Sequence, residues 1–532
     1  MTEARRFPGR IPFKERAPVS AENPDDLSRR SVLKQAAIGG IGLVAGTVVT
    51  GAGSQRACAA IEQVTEKGSW LAERASCVSG NRLLGPDGAG PVVTKAREIF
   101  LPRSAEEIAD LVRFLPAGTP IASVCGGHES SNAAAVASDG AVIFDMAHLK
   151  SIEFHEEGGR ALVTVGGGVV FRELVEAVKE RKGALPVGTG PGVGVVGYVV
   201  NGGLSGYFSR RLGLLGQRVT RFTVVTAAGE IRVLTPDDEL FTAMLGAGSA
   251  LGIVVDLSLE MEPESVVRGA EQRVISFETR DQAVAFAREA LRFQADHVLP
   301  DEGVAMELVV TGTKALVATF VFYDTFRGSM AKFVAPLEAL AQRLALPVVA
   351  SSHLSSWYET AAALWPVINA MKGSPLAMLQ HCMGTEGAPT DTILDFVCDT
   401  VVAGSPLDEA TFSIVEIRTL GGAAMAKKPL PSGNCYHRFF VDLITMYDAK
   451  EKTPAERQEI ADITRSVIEK ARGVEGLAVD FSGTHSQPDD PGSAVSPALI
   501  FGSEAMAEMV RAEKKRVDPG NRFRFHPYAK FL

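Results

Sequence analysis

Apolar residues recur along this chain at two spacings, one near 3.6 residues and one of 2, and the switches between them outline its elements. Ile99-Phe-Leu101 predicts a strand and Pro102-Arg-Ser104 a turn. Ser104 and Glu107 form a capping-box pattern for a helix through Phe114 that stops before Pro116. Pro120–Val124 predicts the next strand, followed at once by Cys125-Gly-Gly-His128. Short strands are expected at Ala141–Phe144, Ser151–Phe154 and Arg160–Val165, with a helix from Val170 to Lys182 after Gly166-Gly-Gly168. Val219–Val225 and Glu230–Leu234 flank a hairpin turn, Glu239–Leu245 is helical in pattern, and Gly252–Glu260 is the block's last strand. Upstream, Ile61–Ala75 contains one short helical start. Hairpins mixed with helices predict an α+β class.

From about residue 266 the periods lengthen. Thr279–Phe293 and Ser329–Leu344 read as helices, Gly303–Phe322 as paired strands, and Thr411–Arg418 and Cys435–Met446 as alternating strands. This predicts a second domain built on a sheet backed by helices. Ala505–Lys515 is an amphipathic helix within a tail expected to pack back on the first domain. The division read from these switches is 1–59, 60–265, 266–480 and 481–532.

The first of these segments reads as an address. Ser28-Arg-Arg-Ser-Val-Leu-Lys34 precedes an apolar, glycine-rich stretch from Ala36 to about Gly53, then Ala57-Cys-Ala-Ala60. That order is the order of a twin-arginine export signal with a small-residue cleavage site near Ala59. It predicts a periplasmic or secreted protein with no stable membrane association after cleavage. A formal charge of -9 over 532 residues gives no electrostatic reason to expect nucleic acid as a partner. The cysteines are scattered and lack a CxxC pair, and no HExxH occurs, so no metal site is expected.

Candidate chemistry concentrates in glycine. Leu185–Gly206 contains Gly188, Gly190, Gly192, Gly194 and Gly197, then Gly202-Gly203. Residues without Cβ let backbone N–H groups approach an anion or a flat ring. Gly188, Gly190 and Gly192 are spaced by two with Pro191 between them, a poor match to a G-x-G-x-x-G placed directly between a strand and a helix, and no Walker lysine follows. On residues alone, a cofactor loop and a structural turn both stay open. The same holds for His128 behind Gly126-Gly127, as a satisfied loop histidine or as a nucleophile.

Several spaced motifs together resemble the berberine bridge enzyme-like branch of the vanillyl-alcohol oxidase (PCMH-type FAD-binding) flavoprotein family. They are Val124-Cys-Gly-Gly-His-Glu-Ser130, Leu185–Gly203, Arg211-Leu-Gly-Leu214, Gly246-Ala-Gly-Ser-Ala-Leu-Gly-Ile-Val254 and Val517-Asp-Pro-Gly-Asn-Arg-Phe-Arg524. The resemblance implies a two-subdomain FAD-binding domain, FAD as cofactor and a separate substrate domain with an antiparallel sheet. It makes His128 the residue bonded to the flavin 8α-methyl carbon. Many members add a cysteine bond from the second loop; Gly190 stands in that slot, so attachment through His128 only is expected. Ser130 and Ser131 are then candidate phosphate donors. Gly126, Gly127, Gly188, Gly192, Val193, Gly194, Gly197, Gly202, Gly203 and Ile253 would line the cofactor, with Asn521 and Arg522 closing over its side. Val193 falls at the position that influences oxygen access.

For the reaction, the resemblance implies hydride transfer from an alcohol or amine-type carbon of a small-molecule donor, with O2 as the acceptor. A dehydrogenase using a quinone or protein acceptor, and a flavin-bound protein without turnover, are the alternatives. The family's base is not obvious here. Phe481 stands where some members have tyrosine, so Asp442 is the first candidate and His485 the second. Glu416 and Arg418 share one face of a predicted strand and could reach the pocket. Trp357, Tyr358 and Trp365 are candidates for an aromatic wall.

Overall fold

The computed structural model describes residues 61–64, 66–67, 95–127, 140–267, 269–312, 316–324, 331–370, 376–404, 411–448, 451–482, 495–525 and 531–532. The export-signal segment, Cys77, His128, Ser130, Ser131 and His485 lie outside these residues.

Two sheets build the first unit. One contains β1 (Glu62–Gln63), β2 (Glu98–Leu101), β3 (Ile121–Val124) and β4 (Val142–Asp145), in the order β1-β2-β4-β3. Within Ile61–Ala75, Glu62–Gln63 form β1, paired with Leu101 and Phe100 at the edge of the sheet, Lys67 is helical, and residues 68–75 lie outside the described residues. Helix α1 (Ala105–Phe114) starts at Ser104, whose hydroxyl accepts from Glu107 N. The Glu107 carboxylate bonds Arg103 N, one residue before the cap. The second sheet is antiparallel, in the order β5-β6-β10-β8-β9. Its strands are β5 (Ile152–Glu157), β6 (Arg160–Gly166), β8 (Val219–Val225), β9 (Ile231–Leu234) and β10 (Ile253–Glu260), while β7 (Gly183–Ala184) pairs with β11 (Glu262–Pro263). Helix α2 (Phe171–Glu180) buries Phe171, Leu174, Val175 and Val178 at helical spacing, and the short α3 (Val195–Val199) follows the glycine loop.

The second unit is one eight-stranded antiparallel sheet. Its strands are β12 (Ala270–Phe277), β13 (Val304–Gly312), β14 (Leu316–Asp324), β15 (Val348–Leu354), β16 (Leu376–Thr385), β17 (Thr411–Thr419), β18 (Phe439–Asp448) and β19 (Ala478–Val479). They lie in the order β15-β12-β14-β13-β17-β18-β16-β19. Helices α4 (Arg280–Phe293), α5 (Ala331–Arg343) and α6 (Pro454–Arg472) cover one face. Met306, Leu308, Val415, Ile417, Val441 and Leu443 point into that core with Phe286, Leu337 and Val467. The sequence places β18 too early, because Gly433–Cys435 forms a tight turn before the strand. The two-residue alternation then sends the intervening side chains to the opposite face.

That opposite face meets the first unit. Arg210 is buried and donates to the carbonyls of Leu420 and, at 2.6 Å, Leu299. The tail seals the first unit with α7 (Glu504–Val517). Lys514 Nζ donates to Ala250 O (2.9 Å), Phe523 O (2.9 Å) and Asp518 Oδ2 (2.7 Å). Arg522 donates to the Ala227 and Val112 carbonyls, while its own carbonyl accepts from Ile121 N in β3.

Candidate functional site

The two glycine-rich loops, about sixty residues apart in sequence, touch backbone to backbone. A Cβ placed on Gly126 would lie 2.6 Å from both Gly192 O and Gly194 N, and one on Gly194 would overlap Cys125 Sγ. The second loop is sewn to the start of α2, with Phe171 N donating to Val193 O (3.0 Å) and Val195 N to Val169 O (3.0 Å). Gly127 has φ +67, so the chain turns through the left-handed region just before His128. Gly188 packs against the rings of Phe171 and Tyr198, and Gly190 against Val193. Gly202 and Gly203 have φ +92 and +76; a Cβ on Gly202 would sit 2.6 Å from Ser432 Oγ. Nearby, Asn434 is fully buried and both its amide atoms lack a partner among the described residues. Such a cradle, with an unused polar group beside it, fits a large planar cofactor with a pyrophosphate.

Opposite lies a charged cluster on the sheet. Antiparallel register sets Glu307 across from Arg418 and Glu416 across from Asp442, so all four share the face turned from the helical core. Arg418 Nε donates to Glu307 Oε1 at 2.6 Å, its Nη2 pairs with Glu416, and its Nη1 is 3.9 Å from Asp442 Oδ2. Gln380 Nε2 donates to both Asp442 oxygens, at 3.0 and 3.2 Å. The first unit leans directly on this group, because a Cβ on Gly206 would be 2.6 Å from Arg418 Nε. The Glu416 side chain is 17% exposed, against 1% for Asp442 and 3% for Glu307.

Burial dominates the electrostatics. It pushes the Glu307 carboxyl up to about 7; Arg418 opposes that shift and Glu416 adds to it. Burial alone would lower the Arg418 pKa, but Glu416, Glu307 and Asp442 outweigh it and hold the guanidinium firmly charged. The Tyr198 phenol is raised by burial, with Arg418 opposing.

The structure thus brings together Asp442, Glu416 and Arg418. The sequence reading missed Glu307 and Gln380. A lone glutamate inside the apolar run Val304–Val310 was the available signal for the first. Ile253 is buried in β10. Asn521 sits exposed in a left-handed turn, and the Arg522 guanidinium is bound to backbone carbonyls. The aromatic trio packs on the first unit rather than forming an open wall. Trp357 Nε1 donates to Leu185 O at 2.8 Å, Tyr358 bonds Glu176, and Arg172 stacks 5.5 Å from the Trp365 ring centre. Cys125, Cys382, Cys398 and Cys435 are not in disulfides, and no cluster of metal-binding side chains occurs among the described residues. Among them, no helix is long and apolar enough to cross a membrane.

Residues 96–235 match the FAD binding domain family. The chain is 30% identical over 209 residues to (R)-6-hydroxynicotine oxidase of Paenarthrobacter nicotinovorans, covering 38% of this chain and 44% of that protein. It is 33% identical over 171 residues to the FAD-linked oxidoreductase tazG of Aspergillus terreus, covering 32% and 34%. The matched part therefore spans less than half the length of these relatives. Among solved structures, the fold is similar to a glucooligosaccharide oxidase from Acremonium strictum, with a TM-score of 0.69 at 17% identity over 87% of this chain and 94% of that one. It is also similar to 6-hydroxy-D-nicotine oxidase from Arthrobacter nicotinovorans, with a TM-score of 0.64 at 20% identity over 88% and 97%. Residues 96–235 therefore carry an FAD-binding domain, and the fold as a whole is similar to that of these oxidases. Its cofactor is FAD.

Proposed function

We propose that this protein is an FAD-dependent oxidase that removes hydride from an alcohol or amine-type carbon and passes the electrons to O2. The observation that carries the reading is the pairing of an FAD-binding unit with a sheet face that holds buried carboxylates around Arg418. Bound FAD supplies the hydride acceptor and, once reduced, the electrons for O2.

The chain's own residues orient the donor and handle its proton. Glu416, the most accessible carboxylate of the cluster, meets the donor and takes its proton; Arg418 fixes its direction. Asp442, held by Gln380 and close to Arg418, anchors the guanidinium from the other side. The glycine loops carry the FAD, with His128 as the single covalent anchor because Gly190 has no thiol. A related glucooligosaccharide oxidase is described with 6-S-cysteinyl, 8α-N1-histidyl FAD, so the loss of one of two bonds is the difference expected here. The expected location is outside the cytoplasm, after twin-arginine export.

The test is anaerobic bleaching of the purified protein's flavin by a panel of sugars, aromatic alcohols and amines, followed by admission of air. Bleaching and rapid recovery of the yellow spectrum with peroxide formation are expected. Bleaching without recovery in air would replace the oxidase with a dehydrogenase. No bleaching with any donor would leave a flavin-bound protein without turnover.

A further inference from the structure

Arg210, in the short helix Ser209–Leu212 of the first unit, is 2% exposed. Its guanidinium reaches across the boundary to main-chain carbonyls in two separate segments of the second unit. Nη1 donates to Leu420 O, and Nη2 donates to Leu299 O at 2.6 Å and lies 3.3 Å from both Val298 O and Asp301 O. Burial lowers its pKa from 12.5 to about 10, which leaves it charged at neutral pH. Such a charge is expensive to bury, and apolar packing would join the units at lower cost.

Both segments lead directly into the charged face. Leu420 is two residues beyond Arg418, at the end of β17. Leu299–Asp301 is the turn that opens into β13, whose first residue, Val304, donates its N–H to Asp301 O; the same strand carries Glu307. Between these, Thr419 Oγ1 accepts from Met306 N at 2.8 Å. Three successive residues of one chain segment are thus tied in step: Leu420 to Arg210, Thr419 to Met306 and Arg418 to Glu307.

The backbone supports the same joint independently. Gly206, four residues before Arg210, lets the first unit close on Arg418, where a Cβ would be 2.6 Å from Nε. Gly421 and Gly422 have φ +89 and +54, and a Cβ on Gly422 would overlap Arg210 O. The chain leaving β17 therefore wraps around Arg210, while Gly206 presses on the Arg418 side chain.

Resting on the flavin reading above, we propose that Arg210 is a positioning residue: from the FAD-binding unit it holds the ends of the two strands that carry Arg418 and Glu307, and so sets where the Arg418 guanidinium stands against the flavin ring. FAD belongs to the first unit and Arg418 to the second, so their spacing depends on what joins the units at this seam. Arg210 makes the joint with a rigid, planar fork of donors, where apolar contacts would let the surfaces slide. A guanidinium close to the ring favours the reduced flavin, whose added electrons bring negative charge. The reduction potential therefore reads the spacing of Arg418 from the ring without any donor molecule.

The experiment is the equilibrium reduction potential of the flavin, measured against reference dyes in flavin-loaded full-length protein. The variants are Arg210→Met, Arg210→Lys, Arg418→Met and the double variants that combine either Arg210 change with Arg418→Met. Arg418→Met is expected to lose about tenfold in preference for the reduced flavin, a fall of about 30 mV for a two-electron couple. Arg210→Met should lose at least about threefold, or about 14 mV. Its double variant should sit at the Arg418→Met value, because Arg210 acts only through Arg418. Arg210→Lys keeps the charge but cannot span both segments, so it should fall between the parent and Arg210→Met; it carries the same cycle if the methionine variant does not fold. General loosening, or direct action of the Arg210 charge on the ring, would make the two effects add. Additive effects, or folded Arg210 variants with the parental potential, overturn the inference alone. A parental potential in Arg418→Met puts the charged face away from the ring, and protein that purifies without flavin removes the cofactor; either overturns the reading on which the inference rests.

Discussion

Replacing Gly126 with alanine tests the contact between the two glycine loops. The new methyl would lie 2.6 Å from Gly192 O and Gly194 N, about 1 Å inside the 3.5–4.0 Å of a favourable contact. Both neighbours are backbone, and their loop is hydrogen-bonded to the start of α2, so no side-chain rotation relieves the overlap. Gly126 has no positive φ, so the cost is steric, on the order of 1–3 kcal/mol for an overpacked site. At about 2–4 °C per kcal/mol, Gly126→Ala should melt several degrees below the parent. It should also purify with less flavin, because the loops must part where they meet the cofactor. Thermal melting followed by both intrinsic and flavin fluorescence reads the two effects together. Gly197→Ala is the control: nothing lies within 4 Å of a Cβ there, and alanine suits the interior of α3, so its melting temperature should be equal or higher. A Gly126→Ala protein with parental melting and full flavin content would refute the argument from loop contact.

Further outcomes follow from single groups. His128→Ala should release its flavin into the supernatant on acid precipitation, where the parent keeps it in the pellet. Glu307, with a folded-state pKa raised from 4.5 to about 7, contributes stability that is complete below 4.5 and is lost as pH rises through about 7. Melting temperatures should therefore show Glu307→Gln gaining on the parent as pH increases from about 5 to 8. His437 has the opposite sign: burial lowers it from 6.5 to about 4, so its contribution is complete above 6.5 and is lost as pH falls towards 4. His437→Phe, which keeps the stack on Phe481 but loses the bond from Nδ1 to Gly433 O, should flatten that acid limb of the melting profile.

What the sequence made legible follows from how local each signal is. The alternation in β17 placed Glu416 and Arg418 on one face, because a strand's period is intrinsic to its backbone. Glu307 was invisible as a partner because its meaning arises from register with Arg418, 111 residues further on. Gln380 depends in the same way on the pairing of β16 with β18. In the glycine loops the residue types announced a close approach, but not which glycines are crowded: Gly126 and Gly194 touch backbone and Gly197 touches nothing. Arg522 was read as a cofactor neighbour from its motif, and the packing adds that its guanidinium donates to the carbonyls of Ala227 and Val112. A motif records that a residue matters; only the packing tells which neighbour it serves.

The seal formed by the tail also sets an order of events during synthesis. Ile121 N in β3 waits for the carbonyl of Arg522, and the Ala250 carbonyl waits for Lys514. The first unit is therefore closed only once the tail that carries Lys514 and Arg522 has been made. A nascent chain halted after the eight-stranded sheet would have both glycine loops and yet an open seam along its oldest domain. Closure of that seam is thereby reserved for chains that include the tail.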